Sequence, residues 1–325
     1  MRSDTAAVEP RPETVVVAMG GHAFIQPGEA GTDADTARNV RQICHQLMTL
    51  VERGYNIVVT HGNGPQVGNL LTKVELTRND VPPLPLDVLV AQTQGSLGYY
   101  LQRALLNELR QRGIKRYVTT AVTQVLVDHS DPAFSHPTKP VGPFLDEATA
   151  NAYRDKYGWV MGEDSARGWR RLVPSPRPVK VVQRHMIREA AQAGHIVIAA
   201  GGGGIPITKA TSNDYVGSEA VIDKDLTSSV LATDVGADLL IILTAVDSVY
   251  LGFGTPQQQR LGAVTLAECE GYIRDGQFPV GSMGPKVEAV YGFLQRGGRR
   301  GLITSAAKLI DALDGRAGTH FVGRI

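Results

Sequence analysis

The chain has 325 residues, 42% of them hydrophobic, and its 33 Lys and Arg residues nearly balance its 32 Asp and Glu residues. This balance gives no basic excess for nucleic acid or a membrane surface, and no apolar run is long enough to span a bilayer. Two cysteines, Cys44 and Cys269, are far apart in the sequence and are interpreted as reduced thiols, which favours the cytoplasm.

Strands and helices alternate along most of the chain. Residues 1–13 are polar, lack the apolar core of a signal peptide and are expected to form a disordered tail. A buried strand follows at 15–19, and Val40, Ile43, Leu47 and Leu50 give residues 35–53 a helical spacing. The further elements predicted in chain order are a strand at 56–60, helices from about 66 and at about 86–111, two short strands within 117–127, a helix at 184–193, a strand at 195–200, a helix at 226–235, a strand at 239–243, a helix at 285–296, a strand at 301–304, a helix at 306–313 and a strand at 319–322.

This alternation predicts an open, mainly parallel, doubly wound α/β sheet with helices on both faces, a three-layer αβα domain over residues 14–325. The segment 128–180 interrupts the pattern and is rich in Pro, Gly and charge. Phe144, Trp159 and Trp169 favour a folded, protruding subdomain, which we interpret as a lid or arm over the active site. A surface decoration is the alternative.

Three apolar strands run directly into glycine-rich loops. The pairs are VVVAM with Gly20-Gly21-His22, NIVVT with His61-Gly62-Asn63-Gly64, and HIVIAA with Gly201–Gly204. Glycines let backbone N–H groups converge on an anion, and ligands of parallel sheets bind beyond the carboxyl ends of the strands. The three loops together predict a shared cradle for a polyanion, most simply a nucleoside triphosphate.

Common motifs of other enzyme classes are absent from the sequence. It contains no G-x-x-x-x-G-K-[ST], H-E-x-x-H or G-x-S-x-G, and its first glycine loop lacks the G-x-G-x-x-G spacing of dinucleotide folds. Lys139, Lys224 and Lys286 instead lie in polar, glycine- or proline-containing segments. Phosphoryl transfer needs positioned positive charge more than a covalent catalyst, so this pattern is typical of a kinase.

Several long strings carry a specific resemblance. They are HGNGPQVGNLL (61–71), TQGSLGYYL (93–101), HPTKPVGPF (136–144), ARGWRRLVPSPRP (166–178), GGGGIP (201–206), EAVIDKD (219–225) and GSMGPK (281–286). With them the chain resembles the carbamate kinases of the amino acid kinase family from residue 15 to about 323. The resemblance implies a homodimer that transfers phosphate reversibly between ATP, carried with Mg²⁺, and carbamate, giving ADP and carbamoyl phosphate. It also implies use toward ATP synthesis in amino-acid catabolism, such as arginine metabolism.

The resemblance also implies roles for the charged residues. Lys224 and Lys286 match the family's catalytic lysines, and Asp225 matches the aspartate that orients them and helps to hold the metal–nucleotide site. An N-cap is the structural alternative for Asp225, because it stands just before a predicted helix. Lys139, carried by the arm, takes the role of a lysine that many family members place before the first Gly-Gly.

Further ligands are implied in the loops. Backbone amides of Gly20, Gly21, Gly62, Asn63 and Gly64 are expected to bind the phosphates and carbamate, with Gly202 and Gly203 supporting the substrate side and close packing. The segments around residues 244–250 and 277–283 are matched to nucleotide binding, with Thr244, Val246, Asp247, Tyr250 and Met283 as candidates. No protein metal ligands are expected beyond the Mg²⁺ that accompanies ATP.

One residue departs from the family pattern. Where the family reads Gly-Gly-Asn, this chain has His22, a residue expected near the acceptor. Neutral His offers one donor and one acceptor, and protonated His would attract an anion. Two alternatives therefore stay open beside carbamate: a kinase for another small carboxylate or phosphonate, and a non-catalytic nucleotide-binding paralogue.

Overall fold

The structure, a computed structural model, describes residues 12–323 except 27, 165–167 and 280, and it does not describe the side chain of His22. The strands in this part of the chain are β1 (Thr14–Met19), β2 (Asn56–His61), β3 (Val118–Thr120), β4 (Gln124–Val127), β5 (Lys139–Leu145), β6 (Met161–Glu163), β7 (Trp169–Val173), β8 (Pro178–Val181), β9 (Ile196–Ile198), β10 (Ile205–Lys209), β11 (Tyr215–Gly217), β12 (Leu239–Thr244), β13 (Tyr250–Leu251), β14 (Gln259–Arg260), β15 (Ala263–Thr265), β16 (Arg300–Ser305) and β17 (Thr319–Val322).

The helices are α1 (Asp33–Glu52), α2 (Gly64–Thr77), α3 (Leu86–Gln111), α4 (Glu147–Tyr157), α5 (Arg184–Gln192), α6 (Lys224–Asp234), α7 (Leu266–Arg274), α8 (Gly284–Gln295) and α9 (Leu309–Leu313). None of these described helices is long and apolar enough to cross a membrane. Residues 1–11 of the expected tail lie outside the described residues. Glu13, the last residue of the expected tail, is part of the fold, because its carbonyl accepts from Asn56 N–H at 2.9 Å.

The main sheet has the strand order β15-β17-β16-β12-β1-β2-β9-β3. All of its neighbouring strands are parallel except the β16–β17 pair. The predicted α/β fold with a mainly parallel sheet is therefore confirmed. This topology places the ends of β1, β2, β9 and β12, where the glycine loops and the 244–250 segment begin, at one edge of the sheet.

β1 shows why the sheet has helices on both faces. Val15, Val17 and Met19 belong to a core cluster that includes residues of α1 and α3. Val16 and Ala18 belong to a second cluster that includes residues of α6 and α8. Because successive side chains of a strand point to opposite faces, a continuous run of apolar residues produces a strand that is buried from both sides.

The interrupting segment folds into a small unit of its own. β5, β7 and β6 form a three-stranded antiparallel sheet, and α4 lies between β5 and β6 in the chain. β8 instead pairs with β4 in a separate four-stranded sheet, β11-β10-β4-β8. We therefore use the name arm for residues 128–177, three residues shorter than the predicted segment.

Other predicted boundaries also need correction. The strand expected at 195–200 ends at Ile198, and Ala200 takes a left-handed conformation with φ 50°. The helix expected at 306–313 is a 3₁₀ turn at Ala306–Lys308 followed by α9. The β10–β11 and β13–β14 hairpins, β15 and α7 were absent from the predicted elements.

Candidate functional site

The first two glycine loops meet because β1 and β2 are adjacent parallel strands. Gly62 N–H donates to the Met19 carbonyl at 3.1 Å. A Cβ placed on Gly62 would lie 3.4 Å from the Gly21 nitrogen and 3.4 Å from Lys224 Cδ. The second loop therefore packs against both the first loop and the stem of Lys224.

The helix that follows the second loop begins at the same place. α2 starts with Gly64 and Pro65, and no side chain caps its first turn. A Cβ on Gly21 would lie 3.7 Å from Pro65 Cδ, so this helix terminus adjoins the first loop. Unpaired N–H groups and the helix dipole make such a terminus attractive to an anion.

Asp225 joins two of the candidate lysines. Lys224 Nζ donates to Asp225 Oδ1 at 2.5 Å, and Lys286 Nζ donates to Oδ2 at 2.9 Å. Asp225 is 2% exposed, and the side chains of Lys224 and Lys286 are 14% and 17% exposed. Burial raises the pKa of Asp225, but the charges and hydrogen bonds of the two lysines outweigh it, so its pKa lies below the ordinary value.

Asp223, rather than Asp225, caps the helix α6. Its Oδ1 accepts from Asp225 N–H at 2.9 Å and from Leu226 N–H at 3.4 Å. The structural alternative considered for Asp225 is therefore wrong. Lys139, the first residue of β5, has its Nζ 3.5 Å from Asp223 Oδ2 and its side chain 40% exposed. The arm thus brings Lys139 to the segment that carries Lys224 and Asp225.

The third glycine loop serves close packing. A Cβ on Gly202 would lie 2.2 Å from Asn63 Nδ2, and one on Gly203 would lie 2.1 Å from the Ile222 carbonyl oxygen. Both glycines are buried and have φ of +68° and +88°. Asn63 itself is 4% exposed and donates from Nδ2 to Thr93 Oγ1 at 2.8 Å. The absence of a Cβ at Gly202 and Gly203 therefore lets the second loop and residues 222–223 pack closely against them.

A cleft of about 430 Å³ adjoins the lysines. One end holds glycines and charge, whereas the other is largely apolar. Its lining residues are Gly20, Gly21, Lys224, Leu243, Thr244, Ala245, Val246, Tyr250, Phe253, Pro279, Gly281, Ser282, Met283 and Lys286. This shape suits a nucleotide, with phosphates at the polar end and a base at the apolar end.

Four of the five nucleotide-site candidates line this cleft: Thr244, Val246, Tyr250 and Met283. Asp247 is not among its described lining residues. The Asp247 Oδ1 accepts from Ser305 Oγ at 2.6 Å, so this side chain fastens the loop to β16. Phe253, which sequence reasoning missed, stands beside Tyr250 with ring centroids 5.9 Å apart. The short β13–β14 hairpin that carries these rings has no clear periodicity to reveal it.

His61 is a second residue that the sequence prediction passed over. It is the last residue of β2 and 1% exposed, with Nδ1 at 3.0 Å from the Gly62 carbonyl. Burial lowers its pKa to about 4, the Gly62 hydrogen bond opposes this shift, and the charge of Lys224 reinforces it. The imidazole is therefore neutral at pH 7, and its Nδ1–H donates to the carbonyl.

His22 lies in the 3₁₀ turn Gly21–Ala23, and Ala23 N–H donates to the Gly20 carbonyl at 3.1 Å. The prediction for its side chain falls outside the described part of the structure. Within that part, no group of three His, Cys, Asp or Glu side chains could hold a metal ion. Asp225, which the resemblance assigns to the metal–nucleotide site, already has one lysine on each of its carboxylate oxygens.

The site combines two lysines that both pair with Asp225, two adjoining glycine loops and the uncapped start of α2, beside a largely apolar cleft. The fold and the site together define an α/β phosphotransferase that uses a nucleoside triphosphate. The family model described as the amino acid kinase family matches residues 13–305. The chain belongs to the amino acid kinase family, and within it to the group of the carbamate kinases.

Individual relatives cover almost the whole chain. A carbamate kinase of Pyrococcus horikoshii is 47% identical over 311 residues, which are 95% of this chain and 99% of the relative. Carbamate kinase 2 of Enterococcus faecalis is 43% identical, with 94% and 97% covered. The solved structure of carbamate kinase from Giardia lamblia bound to AMP-PNP has a TM-score of 0.91 at 38% identity, with 96% and 99% covered.

Proposed function

We propose that this chain catalyses reversible phosphoryl transfer between ATP and carbamate, giving ADP and carbamoyl phosphate. The observation that carries the proposal is the buried Asp225 carboxylate with Lys224 and Lys286 on its two oxygens, at the polar end of the cleft. The similarity to carbamate kinases over almost the full length supports the choice of acceptor.

The reaction brings two anions together, and the positive charges of the lysines offset the repulsion between them. A carbamate oxygen already carries negative charge, so the nucleophile needs no general base. Lys224 and Lys286 neutralise charge on the transferring phosphoryl group, and Asp225 holds both lysines in place. Lys139 adds a third positive charge from the arm, and Mg²⁺ enters as part of the MgATP substrate.

The backbone has a complementary role. N–H groups of the first two loops and of the first turn of α2 point their partial positive charge at the phosphates and at carbamate. Tyr250, Phe253 and Met283 contribute apolar surface at the other end of the cleft for the adenine base.

The decisive experiment measures ATP formation from ADP and carbamoyl phosphate with Mg²⁺, in the natural chain and in His22→Asn. Formation of ATP by both is expected, with the acceptor KM as the parameter that His22 changes. Absence of ATP formation in both, with turnover of ATP on another small acid, would overturn the proposal. His22 keeps that second candidate open, a kinase for another carboxylate or phosphonate, because the resemblance implies an Asn near the acceptor at this position.

The physiological setting is proposed from the same resemblance. We place the enzyme in the cytoplasm, working toward ATP in amino-acid catabolism; the support for the compartment is that Cys44 and Cys269 are buried free thiols. We also propose a homodimer. Its support is that α3 leaves two large apolar side chains exposed on one helix face, Val88 at 37% and Tyr99 at 57%.

A further inference from the structure

Three contacts join the arm to residues 219–225, the catalytic segment. Lys139 Nζ lies 3.5 Å from Asp223 Oδ2, and Val221 N–H donates to the Pro174 carbonyl at 3.0 Å. Arg171 Nη2 donates to Glu219 Oε2 at 2.8 Å. The arm is therefore attached along the same short stretch of chain that ends in Lys224 and Asp225.

Glu219 also holds the body of the protein. Its Oε1 accepts from Leu86 N–H, the first amide of α3, at 2.7 Å. The N-cap of this helix, Pro85, makes no side-chain cap, so Glu219 supplies one from elsewhere in the chain. A carboxylate at this position is also favoured by the helix dipole. One carboxylate thus connects the arm, the catalytic segment and a central helix.

The strand register carries this connection to Lys139. β5 and β7 are antiparallel, with Lys139 opposite Val173 and Val141 opposite Arg171. Arg171 is thus two residues from the partner of Lys139, and its guanidinium stacks 4.4 Å from the Trp159 ring centroid. Because the two strands are hydrogen-bonded along these pairs, a fixed Arg171 also limits the movement of the Lys139 backbone.

From these contacts we infer that Glu219 is a positioning residue for phosphoryl transfer, which acts through Arg171 and the β5–β7 ladder to hold Lys139 at the active site. The inference rests on the proposed function, because it assigns Lys139 a part in the reaction. Glu219 is 46% exposed, and an exposed ion pair contributes little to folding stability. Glu219→Ala also removes the cap on Leu86 N–H and should lower the melting temperature modestly, whereas Glu219→Gln, which keeps an acceptor there, should lower turnover with little change in melting temperature.

A double-mutant cycle tests this. Glu219→Ala is expected to lower kcat by about ten- to hundredfold, since a displacement of about 1 Å at a reacting group has effects of that size. In a Lys139→Met background, the same substitution should change kcat less than about twofold, because the two residues act along one route. Equal factors in both backgrounds, or an unchanged kcat in the single variant, would overturn the inference.

Matched variants separate position from folding. Glu219→Gln keeps an acceptor for Leu86 N–H but loses the charge that binds Arg171, so it should still lower kcat. Arg171→Met, which removes the other partner of the pair, should lower kcat by a similar factor. Asp146→Asn is the control: Asp146 caps α4 within the arm by accepting from Thr149 N–H at 2.7 Å, and asparagine can cap a helix equally well. That change should leave kcat within about twofold, because it removes a charge from the arm but keeps the cap.

Hydrogen exchange gives a readout that does not depend on the reaction. Glu219→Ala should increase amide exchange across β5 and β7, whereas Asp146→Asn should leave these amides protected. If the natural chain made no ATP from carbamoyl phosphate, the proposed function would fail while exchange still decided whether Glu219 holds the arm. Unchanged exchange in Glu219→Ala would overturn the holding role in an enzyme of any activity.

Discussion

Lys286 Nζ lies 2.9 Å from Asp225 Oδ2, although 61 positions separate the two residues in the chain. The contact joins the first turns of α6 and α8, two helices on the same face of the main sheet. A carboxylate this deeply buried needs partners, because an isolated charge in a protein interior is strongly disfavoured. The two lysines and Asp225 therefore form one unit, and substitution of any one of the three is expected to impair the function of the other two.

Asp225→Asn is expected to lower kcat by about a hundred- to thousandfold, the range for loss of one electrostatic stabiliser. It should also lower the free energy of unfolding by about 3 kcal/mol, because two partly buried lysines lose their counter-charge. Steady-state kinetics and urea unfolding measure the two effects.

The control for Asp225→Asn is Asp238→Asn. Asp238 is 5% exposed and accepts from Thr14 N–H at 3.0 Å, at the opposite edge of the sheet from the site. It should lose stability but keep kcat within about twofold. If both variants kept full activity, Asp225 would have no part in arranging the lysines.

Lys286→Ala is expected to reduce kcat by about a hundred- to thousandfold while the KM for ADP changes less, because the lysine acts mainly on charge that develops during transfer. Lys308→Ala serves as the comparison, since Lys308 is 46% exposed and pairs only loosely with Asp311 at 3.4 Å. A near-normal rate for Lys286→Ala would remove it from the mechanism.

Tyr250→Ala is expected to raise the KM for ATP and ADP several-fold with a smaller effect on kcat, because the ring contributes apolar contact to the bound nucleotide and no charge to the transferring phosphate. Tyr215→Ala removes a tyrosine that is 52% exposed on β11 and lies outside the described lining of the cleft. Nucleotide titration by fluorescence or calorimetry measures both. Equal affinities in the two variants would place the base elsewhere.

Gly202→Ala and Gly236→Ala form a matched pair of substitutions. The two glycines have φ of +68° and +67°, so an alanine suffers the same backbone strain at both, about 1–2 kcal/mol. Only at Gly202 would the new Cβ overlap another side chain, that of Asn63, because nothing lies within 4 Å at Gly236. Gly202→Ala should therefore be clearly less stable in urea unfolding and also lose activity through the displaced second loop. Equal losses of stability would show that Asn63 can move aside at little cost.

Much of this fold could be predicted because its central strands are continuous apolar runs. β1, β2 and β12 are buried on both faces, and α3 was predicted with the bounds that the structure shows, Leu86–Gln111. The β13–β14 hairpin could not, since its strands have two residues each and leave no pattern. Phe253, in that hairpin, was missed for the same reason.

The residues around the lysines show a different limit. The string Asp223-Lys224-Asp225 offers two aspartates for one helix cap, and propensity alone does not choose between them. The choice depends on Lys286, which reaches Asp225 from a distant helix. Likewise, the close approach of Asn63 to Gly202 arises only in the tertiary structure. A glycine whose sequence context indicates a ligand-binding loop therefore also serves to let Asn63 pack closely.

His61 makes stability depend on pH. Its pKa falls from 6.5 to about 4 on folding, so the unfolded chain binds more protons than the native one between these values. Stability is therefore complete above pH 6.5 and is lost as the pH falls toward 4, by on the order of 3 kcal/mol from this group. Asp225, with a pKa below the ordinary 3.8, adds its own loss only at lower pH.

Urea unfolding from pH 7 to 4.5 measures this dependence. His61→Gln should make the plot of unfolding free energy against pH flatter in that window, even if it lowers the value at pH 7, because glutamine does not titrate. His129→Gln is the control, since this side chain is 80% exposed and the same substitution should leave the slope unchanged. If His61→Gln kept the full slope, the imidazole would bind its proton equally well in the folded and unfolded chains between pH 7 and 4.5. Its burial beside Lys224 would then not govern its charge.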